Sequence, residues 1–310
     1  HWHETASVGG PPGQGPFLNG AVLLETSLEP EALLSLLKTI ETDLGRSPGE
    51  RWGPRPLDLD LLLYGGLVLQ TPTLVLPHPR MAWRRFVLEP AAEVAASMVH
   101  PTTGWTIGRL LDHLNTAVPY VAIAGAIGAG KTHLAETLAH ETGARLVAEP
   151  IDLPWREAFY ADPSGHAWAT ALEFLERRVR LLAADLPQWR EPGRLAVSGF
   201  WLGQLLAFAR VWVPAGQVDA LRQRWQQAQT RVVQPKLIVL LDPPVEQIVE
   251  RMRRQGRRGE PSVAAELLQQ IRQEIRAEAT QPDRGPLLHL TTEDPQHVLS
   301  EALAAVEAMK

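Results

Sequence analysis

Two carboxylates two residues apart, Asp58 and Asp60, close the stretch RWGPRPLDLD and lead into the apolar run LLLYGG. Side chains on a strand alternate faces, so the two aspartates point one way while Leu57, Leu59, Leu61 and Leu63 point the other. Adjacent carboxylates repel unless something positive lies between them. Magnesium fits, as a hard cation that takes carboxylates together with phosphate oxygens. Arg46, Arg51 and Arg55, just upstream, carry forked donors suited to phosphate. The set points to metal-bridged phosphoryl chemistry. A bare D-x-D pair also fits the polar side of a half-exposed strand, so the surrounding residues decide.

A second constellation lies at 125–132, GAIGAGKT, a complete G-x-x-x-x-G-K-[ST] pattern between an apolar strand and a helix. Gly125, Gly128 and Gly130 let backbone amides turn toward phosphate oxygens, and the helix N-terminus favours their charge. Lys131 is placed to reach the β- and γ-phosphates, and Thr132 to ligate one magnesium ion.

The elements that must hold these residues follow from periodicity. The first half predicts a strand over 17–26, a helix from Pro30 to Gly45 with Leu33, Leu37, Ile40 and Leu44 on one face, a strand over 57–64, a helical stretch over 81–94 and a strand-turn and short helix over 101–118. From Pro119 the pattern changes to apolar strands alternating with helices, with strands at 120–124, 145–148, 194–198, 236–242 and 287–291. That alternation predicts a parallel sheet covered by helices on both faces. Two α/β domains are expected, 1–117 and 119–310.

Composition narrows the class. The 310 residues are 45% hydrophobic and 21% charged, as in a globular chain. A net charge of −5 argues against a general nucleic-acid binder. No cysteine is present, which excludes disulfides, thiolate metal sites and a cysteine nucleophile and fits a cytoplasmic location. No apolar run approaches the roughly 18–20 residues of a membrane helix. The sequence begins at His1, in mid-pattern, so a preceding segment of the natural protein is expected.

The segments PFLNGAVLLET, IETDLGR, RWGPRPLDLDLLLYG and LPHPRMAWRRFVLEP, in this order, resemble 6-hydroxymethyl-7,8-dihydropterin pyrophosphokinase over about residues 3–105. The resemblance implies a ferredoxin-like α+β domain without its first strand and helix, leaving an unpaired sheet slot. It implies transfer of the β,γ-diphosphate of ATP to the pterin hydroxymethyl group, with release of AMP. Asp58 and Asp60 would hold two Mg²⁺ ions on the ATP phosphates. Arg55 and Arg84 would contact the transferring group, and Glu41, Arg46 and His78 would line the ATP side. Thr5, Val8, Phe17, Asn19, Trp52 and Phe86 would form the pterin pocket.

Residues 119–310 resemble the deoxynucleoside kinases through the phosphate loop, Glu149-Pro150, Trp155, YADPSGHAW, EFLERRVR and ERMRRQGRRGE. The resemblance implies Glu149 as general base for a sugar hydroxyl and Trp155 in the substrate site. Arg251, Arg253 and Arg257 would belong to a lid over the phosphates; as a group they also fit a solvated helix face. A homodimer through helices 166–185 and 201–211 is a further possibility. Two family features are missing. The acidic-Arg-Ser triplet after the third strand aligns with Ser198-Gly199-Phe200, and the base-reading glutamine aligns with Ala171, with Glu173 nearby. A bifunctional enzyme, a pterin kinase carrying a nucleotide-binding module, and a scaffold with two silent sites all stay open.

Overall fold

The computed structural model describes residues 1–8, 13–46, 56–150, 159, 161–191, 193–255, 263–292 and 294–310. The chain divides into two compact units, His1–Thr116 with Leu303–Lys310, and Ala117–Ala302. Among the described residues no helix is long and apolar enough to cross a membrane.

In the first unit, β1 (His3–Thr5) pairs antiparallel with β2 (Phe17–Asn19), placing Thr5 opposite Phe17 and His3 opposite Asn19. Helix α1 (Pro30–Asp43) starts on a proline, whose missing N–H costs nothing at a helix start. A short hairpin, β3 (Leu69–Gln70) with β4 (Val75–Leu76), precedes a 3-10 turn at Met81–Trp83 and helices α2 (Arg85–Ala95) and α3 (Ile107–Thr116). Met81, Trp83, Leu88, Leu110 and Leu114 are fully buried and form this unit's centre.

The segment 57–64 differs from the strand expected there, because it joins no sheet. A strand exists only through a ladder partner, and this segment's backbone groups are bonded elsewhere. The Leu59 amide donates to the Glu41 carboxylate at 2.5 Å, the Leu59 carbonyl accepts from Lys38 at 3.1 Å, and the Leu62 carbonyl accepts from the His78 amide at 2.8 Å. The alternation of sides persists through 57–61, with Asp58 and Asp60 exposed and Leu57, Leu59 and Leu61 half-buried, and ends there, since Leu62, Leu63 and Tyr64 are all half-buried. The strand expected over 17–26 likewise pairs only as far as Asn19, and Leu18, Val22, Leu23 and Leu24 are exposed.

The second unit is a five-stranded parallel sheet in the order β6-β7-β5-β8-β9. Its strands are β5 (Tyr120–Gly125), β6 (Arg145–Val147), β7 (Ala196–Ser198), β8 (Leu237–Leu241) and β9 (Leu287–Leu290). Every residue of the central β5 is buried, as a strand covered on both faces must be. The helices of this unit are α4 (Lys131–Thr142), α5 (Pro163–Leu182), α6 (Gln204–Trp212), α7 (Ala215–Gln229), α8 (Val245–Gln255) and α9 (Ala265–Ala279), with the residues of α10 (Pro295–Ala308) up to Ala302. Asp162 caps α5 by accepting from the Gly165 amide at 3.0 Å, and Gly143, at φ 66°, ends α4 in the left-handed conformation.

At the end of β8, Asp242 is buried and accepts from Arg272 of α9 at 2.7 Å and from His289 of β9 at 3.0 Å. Burial pushes its carboxyl up, and the His289 and Arg272 bonds outweigh that, leaving it below the usual carboxylate range. A depressed folded value means the stabilisation is fully present above the unfolded value of about 4 and is lost as pH falls through the folded one. Asp242→Asn is therefore expected to destabilise the unit by about 2–4 kcal/mol at pH 7. In thermal melts the gap between wild type and variant should narrow as pH drops toward 3.

Candidate functional site

In the first unit the metal-binding candidates rest on a charge cluster built around the buried Glu41. Glu41, 1% exposed, accepts from Lys38 at 2.9 Å, from Arg46 and from the Leu59 amide. Burial raises its carboxyl, and these donors together bring it below the usual range. Arg46 also donates to Asp58 at 2.8 Å. Glu41 thus fixes the backbone between the two aspartates and, through Arg46, the side chain of one. Asp60 lies 3.9 Å from the His78 ring, which burial holds mostly neutral, its pKa lowered to about 4. Two exposed carboxylates with hard oxygens fit magnesium bound jointly with phosphate, the mode in which the ion takes few protein ligands.

Of the residues expected around the pterin, Thr5, Phe17 and Asn19 lie together. The Asn19 amide donates to the Thr5 hydroxyl at 2.8 Å across the β1–β2 pair, beside Phe17. Arg84 lies over the rings of Trp83 and Phe86, 5.6 and 5.4 Å from their centroids. Val8 is half-buried. Arg51, Trp52 and Arg55 lie outside the described residues, as do Trp155 and Arg257 of the second unit.

The phosphate loop is formed by the turn between β5 and α4. At Gly125, φ 150°, a β-carbon would lie 2.5 Å from the Leu241 carbonyl oxygen, so only glycine lets the loop pass β8 this closely. Gly130, also at positive φ, caps α4. Lys131 donates to the Ala126 carbonyl at 2.8 Å, and Arg251 of α8 donates to the Gly128 carbonyl at 3.1 Å. Arg253 is exposed. A cavity of about 320 Å³ lies along the loop, lined by Gly130, His133, Thr137, Arg251, Thr292 and Gln296.

A larger cavity, about 480 Å³, runs from Gly128, Lys131 and Thr132 to Glu149 and an aromatic wall of Phe174, Phe208 and Trp212. Phe208 stacks on Trp212 with centroids 5.5 Å apart, and Phe159 meets Trp212 edge-on at 4.9 Å. Glu149 is held by both oxygens: Arg178 donates from Nε at 2.8 Å and from Nη2 at 2.9 Å. Arg178 is buried, flanked by Phe174 and Phe200 at 5.0 and 5.1 Å, and donates further to the Trp201 carbonyl at 3.5 Å. Ser198, where the family carries an acid, is fully buried and bonded to the Tyr120 hydroxyl at 2.7 Å and the Phe200 carbonyl at 2.5 Å. It is not placed as a metal ligand, which leaves Thr132 from the expected protein set.

Arg178, Gln204, Phe174, Phe208 and Trp212 were not singled out from the sequence. For Arg178 a signal existed: it lies seven residues, two helical turns, after Ala171 and so shares its face. Both residues line the cavity. Glu173 does not replace the missing glutamine: it pairs with Arg177 at 2.8 Å and is not among the residues that line the cavity.

Comparison with known proteins matches residues 1–96 to the 7,8-dihydro-6-hydroxymethylpterin-pyrophosphokinase family and residues 121–304 to the deoxynucleoside kinase family. The 2-amino-4-hydroxy-6-hydroxymethyldihydropteridine pyrophosphokinase of Pseudomonas aeruginosa is 44% identical over 114 residues, 37% of this chain and 67% of that protein. That of Synechocystis is 45% identical over 122 residues, 39% of this chain and 62% of its own length. A mitochondrial folate synthesis bifunctional protein of Arabidopsis thaliana is 50% identical over 90 residues, 29% of this chain and 16% of that one. The fold of deoxyadenosine kinase from M. mycoides superposes with a TM-score of 0.53 at 16% identity, over 61% of this chain and 98% of that one. The chain belongs to the deoxynucleoside kinase family through more than half of its length, residues 121–304, and carries at residues 1–96 a domain of the hydroxymethyldihydropterin pyrophosphokinase family.

Proposed function

We propose that the chain joins two ATP-dependent transferases: a diphosphokinase acting on 6-hydroxymethyl-7,8-dihydropterin and a deoxynucleoside kinase. One observation carries the second half. A single cavity holds a phosphate cradle at one end and, at the other, a carboxylate beside a flat aromatic slot. That is the order in which a phosphate donor, a sugar hydroxyl and a base would lie.

In the pterin site Asp58 and Asp60 would hold Mg²⁺, which neutralises the ATP phosphates when bound. Arg84, and Arg55 with it, would neutralise the charge on the diphosphoryl group as it moves. Glu41 and Arg46 keep the aspartates in place for that task, and His78, largely neutral, stands beside Asp60. Thr5, Asn19, Val8, Phe17, Trp52 and Phe86 would take the pterin by stacking and edge hydrogen bonds. In the nucleoside site the loop amides, Lys131 and Thr132 would cradle the phosphates of ATP, with Arg251, Arg253 and Arg257 closing over them. Glu149 would accept the proton of the sugar hydroxyl on a lone pair that its two bonds to Arg178 leave free. Such chemistry rests on positioning and charge neutralisation.

The two halves separate in one assay, with AMP resolved from ADP. Asp58→Asn should cut AMP formation with the pterin by about 10²-fold or more and leave ADP formation with a deoxynucleoside unchanged. Lys131→Ala should do the reverse. If no deoxynucleoside yields ADP, the second unit is a nucleotide-binding module, a reading favoured by Ser198 in place of the acid and by the double grip on Glu149. Arg178→Met strands the Glu149 carboxylate in a largely buried place and should lower stability by about 3–5 kcal/mol. The doubly altered Glu149→Gln, Arg178→Met protein should recover much of that loss in denaturant titrations.

A further inference from the structure

Leu59 separates Asp58 from Asp60, and one pair of side chains on α1 holds both of its backbone groups. The Leu59 amide donates to the Glu41 carboxylate at 2.5 Å, and the Leu59 carbonyl accepts from the Lys38 ammonium at 3.1 Å. Lys38 also donates to Glu41 itself, at 2.9 Å, one turn along the helix. A residue in a strand points its N–H and C=O to the same edge, where a neighbouring strand would meet both. Here an ion pair meets them. The two bonds restrain different planes. The amide belongs to the peptide that joins Leu59 to Asp58, and the carbonyl to the peptide that joins Leu59 to Asp60. Each peptide is planar, so a bond to its N–H or C=O restrains the whole plane and the α-carbon at its far end.

The two aspartates differ in what else holds them. Asp58 has a second anchor, because Arg46 donates to its carboxylate at 2.8 Å. Asp60 has no donor of that kind among the described residues, and the His78 ring stands 3.9 Å away, too far for a hydrogen bond. Two neighbouring carboxylates repel, so they do not keep their own spacing. Where Asp60 stands is therefore set by its backbone, and the peptide leading into it is the one bonded to Lys38. Resting on the pterin-kinase reading of this unit, we infer that Lys38 is the positioning residue for Asp60, fixing the peptide between Leu59 and Asp60 so that both carboxylates meet the divalent ions that arrive with phosphate. Glu41 and Arg46 do the same for Asp58. Lys38 acts through Asp60 and needs no contact with a reacting atom.

The test follows Mn²⁺ by electron paramagnetic resonance, with ATP present, in the 310-residue chain carrying Lys131→Ala to silence the phosphate loop. Adding Lys38→Met should weaken Mn²⁺ binding roughly tenfold, the usual cost of losing a group that orients a metal ligand. Lys38→Arg, which keeps a cationic donor for the carbonyl, should restore most of it. Lys38→Met also takes a partner from the buried Glu41, so it is compared with the doubly altered Lys38→Met, Glu41→Gln protein, which carries no buried charge there. The double variant should melt closer to the parent and still bind Mn²⁺ weakly; if Lys38→Met does not fold, it carries the comparison alone. An Mn²⁺ affinity unchanged by Lys38→Met, or one that returns with stability in the double variant, overturns the assignment. Asp60→Asn separates the two readings. Mn²⁺ binding that Asp60→Asn abolishes and Lys38→Met leaves intact sinks the inference alone, whereas a parent chain with no Mn²⁺ binding sensitive to Asp60→Asn sinks the pterin-kinase reading with it.

Discussion

The guanidinium of Arg178 is the constraint around which the second unit's site is arranged. An arginine this buried keeps its charge, so it must be paired. Its fork meets both oxygens of Glu149 after β6, its faces lie between Phe174 and Phe200, and a further N–H reaches the Trp201 carbonyl. One side chain thus sets the distance between the end of β6, helix α5 and the turn that starts α6. Those three elements are the walls of the larger cavity. Family members carry an arginine in the triplet after the third strand. Here the loop position is Gly199, where an added β-carbon would lie 3.3 Å from the Thr132 α-carbon, and the guanidinium comes from a helix instead.

On the proposed reading the two sites would face the same physical problem, the charge of a polyphosphate, and would meet it with different groups. The phosphate loop uses backbone amides and a helix terminus, which cost no side-chain order and are fixed once the glycines permit the turn. The pterin-kinase unit would use side-chain charges, and these must be held. The charge cluster of Glu41, Lys38 and Arg46 does the holding, with the Leu59 amide as its link to the aspartates. A buried carboxylate that meets three donors is stable as an anion.

This difference also explains which parts could be read from the sequence. The phosphate loop is local: eight consecutive residues, a strand before and a helix after, and α4 spans 131–142 as the periodicity predicts. The parallel sheet was legible for a similar reason, since five apolar runs separated by helices admit few other arrangements. Residues 57–64 were not, because their leucine-aspartate alternation sets only which side each residue faces. Whether the segment joins a sheet depends on a partner, and here Glu41, Lys38 and His78 bond the backbone groups a ladder would have used. Arg178 and Gln204 escaped notice for the same reason. Each is an ordinary polar residue on an amphipathic helix until the fold brings α5 and α6 to one cavity.

The two departures from the family pattern, at Gly199 and Ala171, look like losses when each is taken position by position. Taken in space they are two removals of bulk from one cavity whose walls hold a buried arginine and a buried glutamine. A buried charge and a buried amide both destabilise an apolar interior unless something is gained. Ser198 carries the opposite message. Its hydroxyl is spent on Tyr120 and the Phe200 backbone, joining β7 to β5, and nothing polar is left there to face a phosphate. On the proposed reading polarity is present where a nucleoside would lie, and Ser198 adds none where the donor's charge would be balanced, so the handling of that charge would fall to the loop amides, Lys131 and the arginines of α8.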